Sequence, residues 1–175
     1  MKKFKLKTHY KKILADTISP VSVYLKIRDK FPNSILLESS DYHGNDNSFS
    51  YICCNPIASI KVDANVITKT FPDLTVNTTT VTPEKVTSEL DTFTKQFETQ
   101  QDTSFKFINN GMFGFTAYDA VKYFEDITIS KKDDSIEIPE MYYAVYQNII
   151  AINHFKNEAY IFAHCYESES NIDAI

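Results

Sequence analysis

The stretch that most restricts the fold lies toward the end of the chain. Met141 to Ile152 is an almost unbroken apolar and aromatic run that follows Pro139. A polar turn at Lys156-Asn157-Glu158 then leads into a second such run, Ala159 to Tyr166. Two strand-forming runs this close together read as an antiparallel hairpin. The remaining segments must be arranged around an antiparallel sheet.

Upstream segments supply more strands. Ser34 to Ser39 is a short apolar run bounded by polar residues and reads as a buried strand. Asp41 to Asn47 is a polar loop containing Gly44. Phe49 to Cys54 reads as a strand stopped by Asn55-Pro56. From Ile57 to Val81, the β-branched Ile60, Val62, Val66 and Ile67 suggest a meander. Its turns fall at Ala64-Asn65 and Pro72-Asp73, and Val76 to Val81 suits an edge strand.

Helices interrupt this pattern. Ser19 is a good N-cap, and Pro20 suits a first helical position, where a missing N–H costs nothing. Val21, Tyr24, Leu25 and Arg28 then share one face, and the helix stops near Phe31-Pro32. Thr82-Pro83 repeats the device, with Val86, Leu90, Phe93 and Phe97 as the apolar stripe ahead of a polar loop at 98–102. Gly111 to Phe115 reads as a strand, Tyr118 to Glu125 as a short helical turn, and Ser130 to Glu137 as a surface loop. The predicted fold class is α+β, with antiparallel, sandwich-like sheets, eight or nine strands and about three flanking helices. Residues 1–175 read as one domain. The final residues, 169–175, look like the start of a further helix, as in an excised fragment.

Charge and rare residues narrow the function classes. The net charge is −5, so duplex nucleic acid is not an expected partner. The one basic cluster, Lys2, Lys3, Lys5, Lys7, Lys11 and Lys12, reads as a solvated, partly frayed terminus. No apolar run approaches the ~18 residues that span a bilayer, and no signal-peptide core is present, so the expected location is cytoplasmic, off the membrane. Three cysteines, Cys53, Cys54 and Cys165, give an odd count without zinc spacing, and His164-Cys165 would diverge on a strand. With only three glycines, neither a Walker loop nor GxGxxG occurs. Gly111 and Gly114 lie three apart and mark either a contact with a ligand or second domain, or tight packing under a helix. Asp119 is assigned to a helix N-terminus. Tyr142, Tyr143 and Tyr146, with no basic residues between them, are assigned to packing.

Three ordered segments carry a resemblance. Asp16-Thr17-Ile18-Ser19-Pro20 comes first. Leu36-Leu37-Glu38-Ser39 follows, then Ser50-Tyr51 and Asn55-Pro56. Gly111-Met112-Phe113-Gly114-Phe115 with Tyr118-Asp119 comes last. In this order they resemble the N-terminal region of anthranilate synthase component I, and the likeness covers essentially the whole chain. The same region occurs in aminodeoxychorismate synthase component I, which remains an alternative, as does a freestanding small-molecule-binding module.

The resemblance implies an enzyme that turns chorismate into anthranilate with ammonia from a glutamine amidotransferase subunit (component II), using magnesium. It implies that the catalytic and metal residues belong to a C-terminal chorismate-binding domain absent from residues 1–175. On that basis this stretch is expected to hold no cofactor, to carry no catalytic residue and to be inactive alone. It also implies a feedback site for L-tryptophan that includes Leu37, Glu38 and Ser39, with Ser50 and Tyr51 as neighbours.

The residue chemistry is compatible with such a ligand. Glu38 can pair with an ammonium, and a serine hydroxyl or strand N–H can hold a polar end. Alternation puts Glu38 and Ser39 on opposite faces of a strand, so one of them is expected to act through its backbone. The plain alternative is a solvated carboxylate at a strand end.

Overall fold

The computed structural model describes residues 2–38, 48–99, 104–127, 129 and 138–167. In chain order its elements are β1 (Phe4–Leu14), α1 (Pro20–Ile27), β2 (Ile35–Glu38), β3 (Phe49–Asp63), β4 (Val66–Thr70) and β5 (Val76–Thr80). Then come α2 (Val86–Thr94), β6 (Phe97–Thr99), β7 (Met112–Thr116), β8 (Met141–Asn153) and β9 (Glu158–Glu167), with 3-10 segments at Pro83–Lys85 and Tyr118–Tyr123. The fold is α+β and mostly antiparallel, as predicted. Among the described residues the strands join in one nine-stranded sheet, ordered β5-β4-β3-β8-β9-β1-β6, with β2 added to β3 and β7 added to β8. Among the described strands only β1 and β6 run parallel.

The long strands β3 and β8 form the spine. Along one edge of β3, β2 pairs with residues 50–53 and β4 with residues 59–63. Along the far edge of β8, β9 pairs with residues 148–153 and β7 with residues 141–145. The predicted stop at Asn55-Pro56 is therefore a correction, because β3 runs straight through it. The register shifts between Pro56 and Ala58, and Asn55 takes a left-handed φ of 60°. A bulge absorbs the N–H that proline lacks, and asparagine tolerates the left-handed region.

The lysine-rich start is a second correction. It is strand β1, paired with β9 from Lys5 to Leu14 and with β6 at its beginning. Phe4 and Leu6 point into the core while Lys5 and Lys7 point outward. Two inward apolar residues and a waiting strand edge outweigh the charge on the other face.

Two apolar clusters lie under the helices. Phe4, Phe71, Val86 and Phe93 share one beneath α2, with Leu90 and Phe97 packed against it as the stripe predicts. The other, beneath α1, holds Ile52 and Ile152. Ser19 caps α1 by accepting from the Ser22 N–H. The inward face of α1 is Val23, Tyr24 and Ile27, while Val21 and Leu25 are 44% and 47% exposed. The predicted face was thus rotated by about one residue, and β2 and β3 dictate which side is buried.

Gly114 resolves as close packing, against a strand rather than a helix. A Cβ there would lie 1.9 Å from the Tyr142 carbonyl oxygen of β8. Gly111 has φ +133°, where other residues are strained. Asp119 lies in the first turn of the 3-10 segment, whose N-cap is Ala117. Tyr146 is fully buried and donates to the Asn33 carbonyl at 2.9 Å. The loops predicted at 41–47 and 130–137 and the segment 169–175 lie outside the described residues.

Candidate functional site

Strand β2 is placed by the turn before it. Asn33 has a left-handed φ of 61°, and its carbonyl accepts the Tyr146 hydroxyl. The Ser34 carbonyl accepts the Tyr24 hydroxyl at 3.3 Å. One tyrosine from β8 and one from α1 thus fix where β2 enters. From there it pairs antiparallel with β3, with Leu36 opposite Ile52, Leu37 opposite Tyr51 and Glu38 opposite Ser50. Among the described residues β2 pairs on this edge alone, so its outer edge faces no strand.

Directly opposed residues share a face, and neighbours alternate. The structure therefore joins Leu37 to Tyr51 and Glu38 to Ser50, and separates the two pairs. Ser39 lies outside the described residues.

The Leu37–Tyr51 face is aromatic. The Tyr51 ring stacks on Phe49 at 6.0 Å and tilts against Phe113 at 6.0 Å. Phe107 lies on Phe49 at 4.6 Å, and Phe105 and Phe107 pack over Phe162. Burial raises the pKa of the Tyr51 phenol, and the Ile108 backbone opposes that shift. Flat apolar ligands suit such a surface.

The Glu38–Ser50 face is polar only at this end of β2, because Ile52 and Ile152 on the same face belong to the core beneath α1. The Glu38 side chain is exposed, and Ser50 is 1% exposed. The Ser50 hydroxyl lies 2.7 Å from His154 Nε2. The turn that ends β8 carries His154, whose N–H donates to the Ser48 carbonyl at 3.1 Å. The sequence reading had no place for this histidine. A histidine in a hairpin turn carries no local signal, and only the β3–β8 register brings it to Ser50. The arrangement can hold a cation at Glu38 through a charge-assisted hydrogen bond.

The remaining reactive groups are not part of the site. Cys53 and Cys54 are buried free thiols, and burial pushes Cys53 up to about 12, which removes thiolate chemistry at neutral pH. Among the described residues, no group of three or more His, Cys, Asp or Glu is placed to hold a metal ion, and no helix is long and apolar enough to cross a membrane.

A sequence profile of the family described as "chorismate binding enzyme" matches residues 33–175. Anthranilate synthase component 1 of Lactococcus lactis is 32% identical over 152 residues, which is 87% of this chain and 31% of that protein. The protein of the same name from Thermus thermophilus is 28% identical over 160 residues, 91% of this chain and 32% of that one. The crystal structure of anthranilate synthase component I from Streptococcus pneumoniae shares the fold, with a TM-score of 0.50 and 24% identity over 91% of this chain and 33% of that one. The chain thus spans about a third of the length of these relatives. The profile match corrects in part the expectation that the chorismate-binding region is missing, because the family pattern takes in β2 through β9.

Proposed function

This chain belongs to the family of chorismate-binding enzymes, and from that premise we propose that it forms part of an anthranilate synthase component I. In this reading the longer enzyme makes anthranilate from chorismate, with ammonia from a component II amidotransferase. Both curated relatives carry the anthranilate synthase name, which favours this branch over aminodeoxychorismate synthesis. The magnesium of such an enzyme is assigned no ligands among the described residues, which present no acidic cluster for it.

The role proposed for this part is feedback control by L-tryptophan. The observation that carries it is the end of β2, where an exposed carboxylate and an aromatic platform lie one residue apart on opposite faces. Glu38 would take the ligand's ammonium. The indole would lie toward Leu37 and Tyr51 only by passing round the end of β2, where Ser39 follows. Binding would favour a state with an impaired chorismate site, a population shift whose size equals the ligand's preference for that state.

The test joins this chain to the remaining two-thirds of the Lactococcus lactis relative and follows anthranilate formation. The chain alone should form none, and the joined enzyme should form it and be inhibited by tryptophan. Glu38→Ala and Ser39→Ala should each relieve that inhibition while leaving turnover without tryptophan intact. Undiminished inhibition in both variants would remove the site assignment.

A further inference from the structure

Three polar groups form a row across one face of the sheet. The Glu38 carboxylate stands at the end of β2, the Ser50 hydroxyl is opposite it on β3, and the His154 imidazole lies just past β8. The outer two are exposed and the middle one is buried. A buried hydroxyl needs a hydrogen-bond partner, and His154 Nε2 at 2.7 Å is that partner. The histidine is itself held in place, because its main-chain N–H is bonded to Ser48.

We propose that His154 is a positioning residue for the ligand carboxylate Glu38, acting through Ser50. The proposal rests on the tryptophan reading above. A serine hydroxyl has a single hydrogen to donate. We assign His154 the Nδ1–H tautomer, in which Nε2 accepts and Ser50 spends that hydrogen on it. The Glu38 carboxylate then keeps its full acceptor capacity for an incoming ammonium. Without an acceptor at position 154, the Ser50 hydrogen turns to the carboxylate in register with it, across a Cβ separation of about 5 Å. It then occupies one of the carboxylate's acceptor sites and turns the oxygen atoms toward the sheet, away from an incoming ammonium. His154 therefore never needs to touch the ligand.

This sequence of effects has a distinctive sign pattern. His154→Leu should weaken L-tryptophan binding about tenfold, the scale of one hydrogen bond to a charged group. His154→Gln places an amide oxygen near the Nε2 position and should bind like the wild type. Removing the misdirected hydroxyl as well, in Ser50→Ala/His154→Leu, should restore most of the loss. Residues in direct contact need not add even in a purely structural role, which would instead lower the unfolding temperature of His154→Leu along with its binding and recover both in the double variant.

The measurement is saturation-transfer NMR of L-tryptophan titrated into the joined enzyme described above, with thermal unfolding run on each variant to show that it is folded. Unaltered binding in His154→Leu, weak binding in His154→Gln, or a double variant as weak as the single one would each overturn the assignment alone. No transfer to tryptophan in the wild type would instead overturn the feedback reading, and the assignment with it.

Discussion

Gly114 and His164 show how much a single position can carry. A methyl group at Gly114 would collide with the Tyr142 carbonyl, which belongs to the spine and has nowhere to move. Gly114→Ala should therefore cost about 3 kcal/mol, the upper end for overpacking, read as a lowered urea midpoint. At Gly111 the same change meets open space and only the backbone strain of its positive φ, for a cost of about 1–2 kcal/mol. Equal losses at the two positions would contradict this. His164 is 2% exposed, with Nδ1 2.9 Å from Thr8 Oγ1. Burial pulls its pKa below the ordinary 6.5, with the Asn109 backbone opposing. The unfolded chain then takes up a proton that the folded chain refuses, so the stability this group contributes is present above 6.5 and declines as pH falls below it. His164→Gln should flatten that decline in unfolding measured from pH 8 to pH 5, about the window in which histidine titrates. A slope unchanged by the substitution would assign the acid sensitivity elsewhere. The spacing of Gly111 and Gly114 was legible in the sequence. The burial of His164 was not, because its partner Thr8 is on the first strand.

At the scale of elements, local pattern and tertiary context competed, and β1 is the clearest case. Six lysines in twelve residues suggest a solvated terminus. The structure makes them a strand of the sheet, paired with β9 from Lys5 to Leu14 and, at Phe4 to Leu6, with β6 on the other edge. Phe4 lies 5.7 Å from both Phe71 and Phe97, in the core beneath α2. Phe4→Ala should cost about 3–5 kcal/mol in chemical denaturation, whereas a frayed end would lose almost nothing. Elements whose pattern is self-contained were legible. The β8–β9 hairpin, the Ser19-Pro20 helix start and the Val86–Phe93 stripe all appear where periodicity puts them. Elements whose state depends on a distant partner were not. β3 continues past Pro56 because β8 is there to pair with it, and α1 turns its face toward β2 and β3.

At the scale of the whole molecule, the family and the α+β class were legible, whereas the division of the site between two faces was not. Leu37, Glu38, Ser50 and Tyr51 are close in register, but alternation sends them to opposite sides of the sheet. A ligand gripped by Glu38 can use the aromatic face only at the strand end, and few contacts are available to it there. We propose in addition that tryptophan contacts the rest of the enzyme, so that this chain alone holds a partial site. Affinity should then be weak. Calorimetry on the isolated chain should show no micromolar binding, and supplying the remaining two-thirds of the enzyme should tighten it by the coupling between the sites, about 1–3 kcal/mol. The chain contains no tryptophan, so indole fluorescence in such a titration belongs to the ligand alone. Micromolar binding by the isolated chain would mean that the site is complete within these residues. Control would then have to travel through the sheet itself, rather than through a ligand shared between two parts.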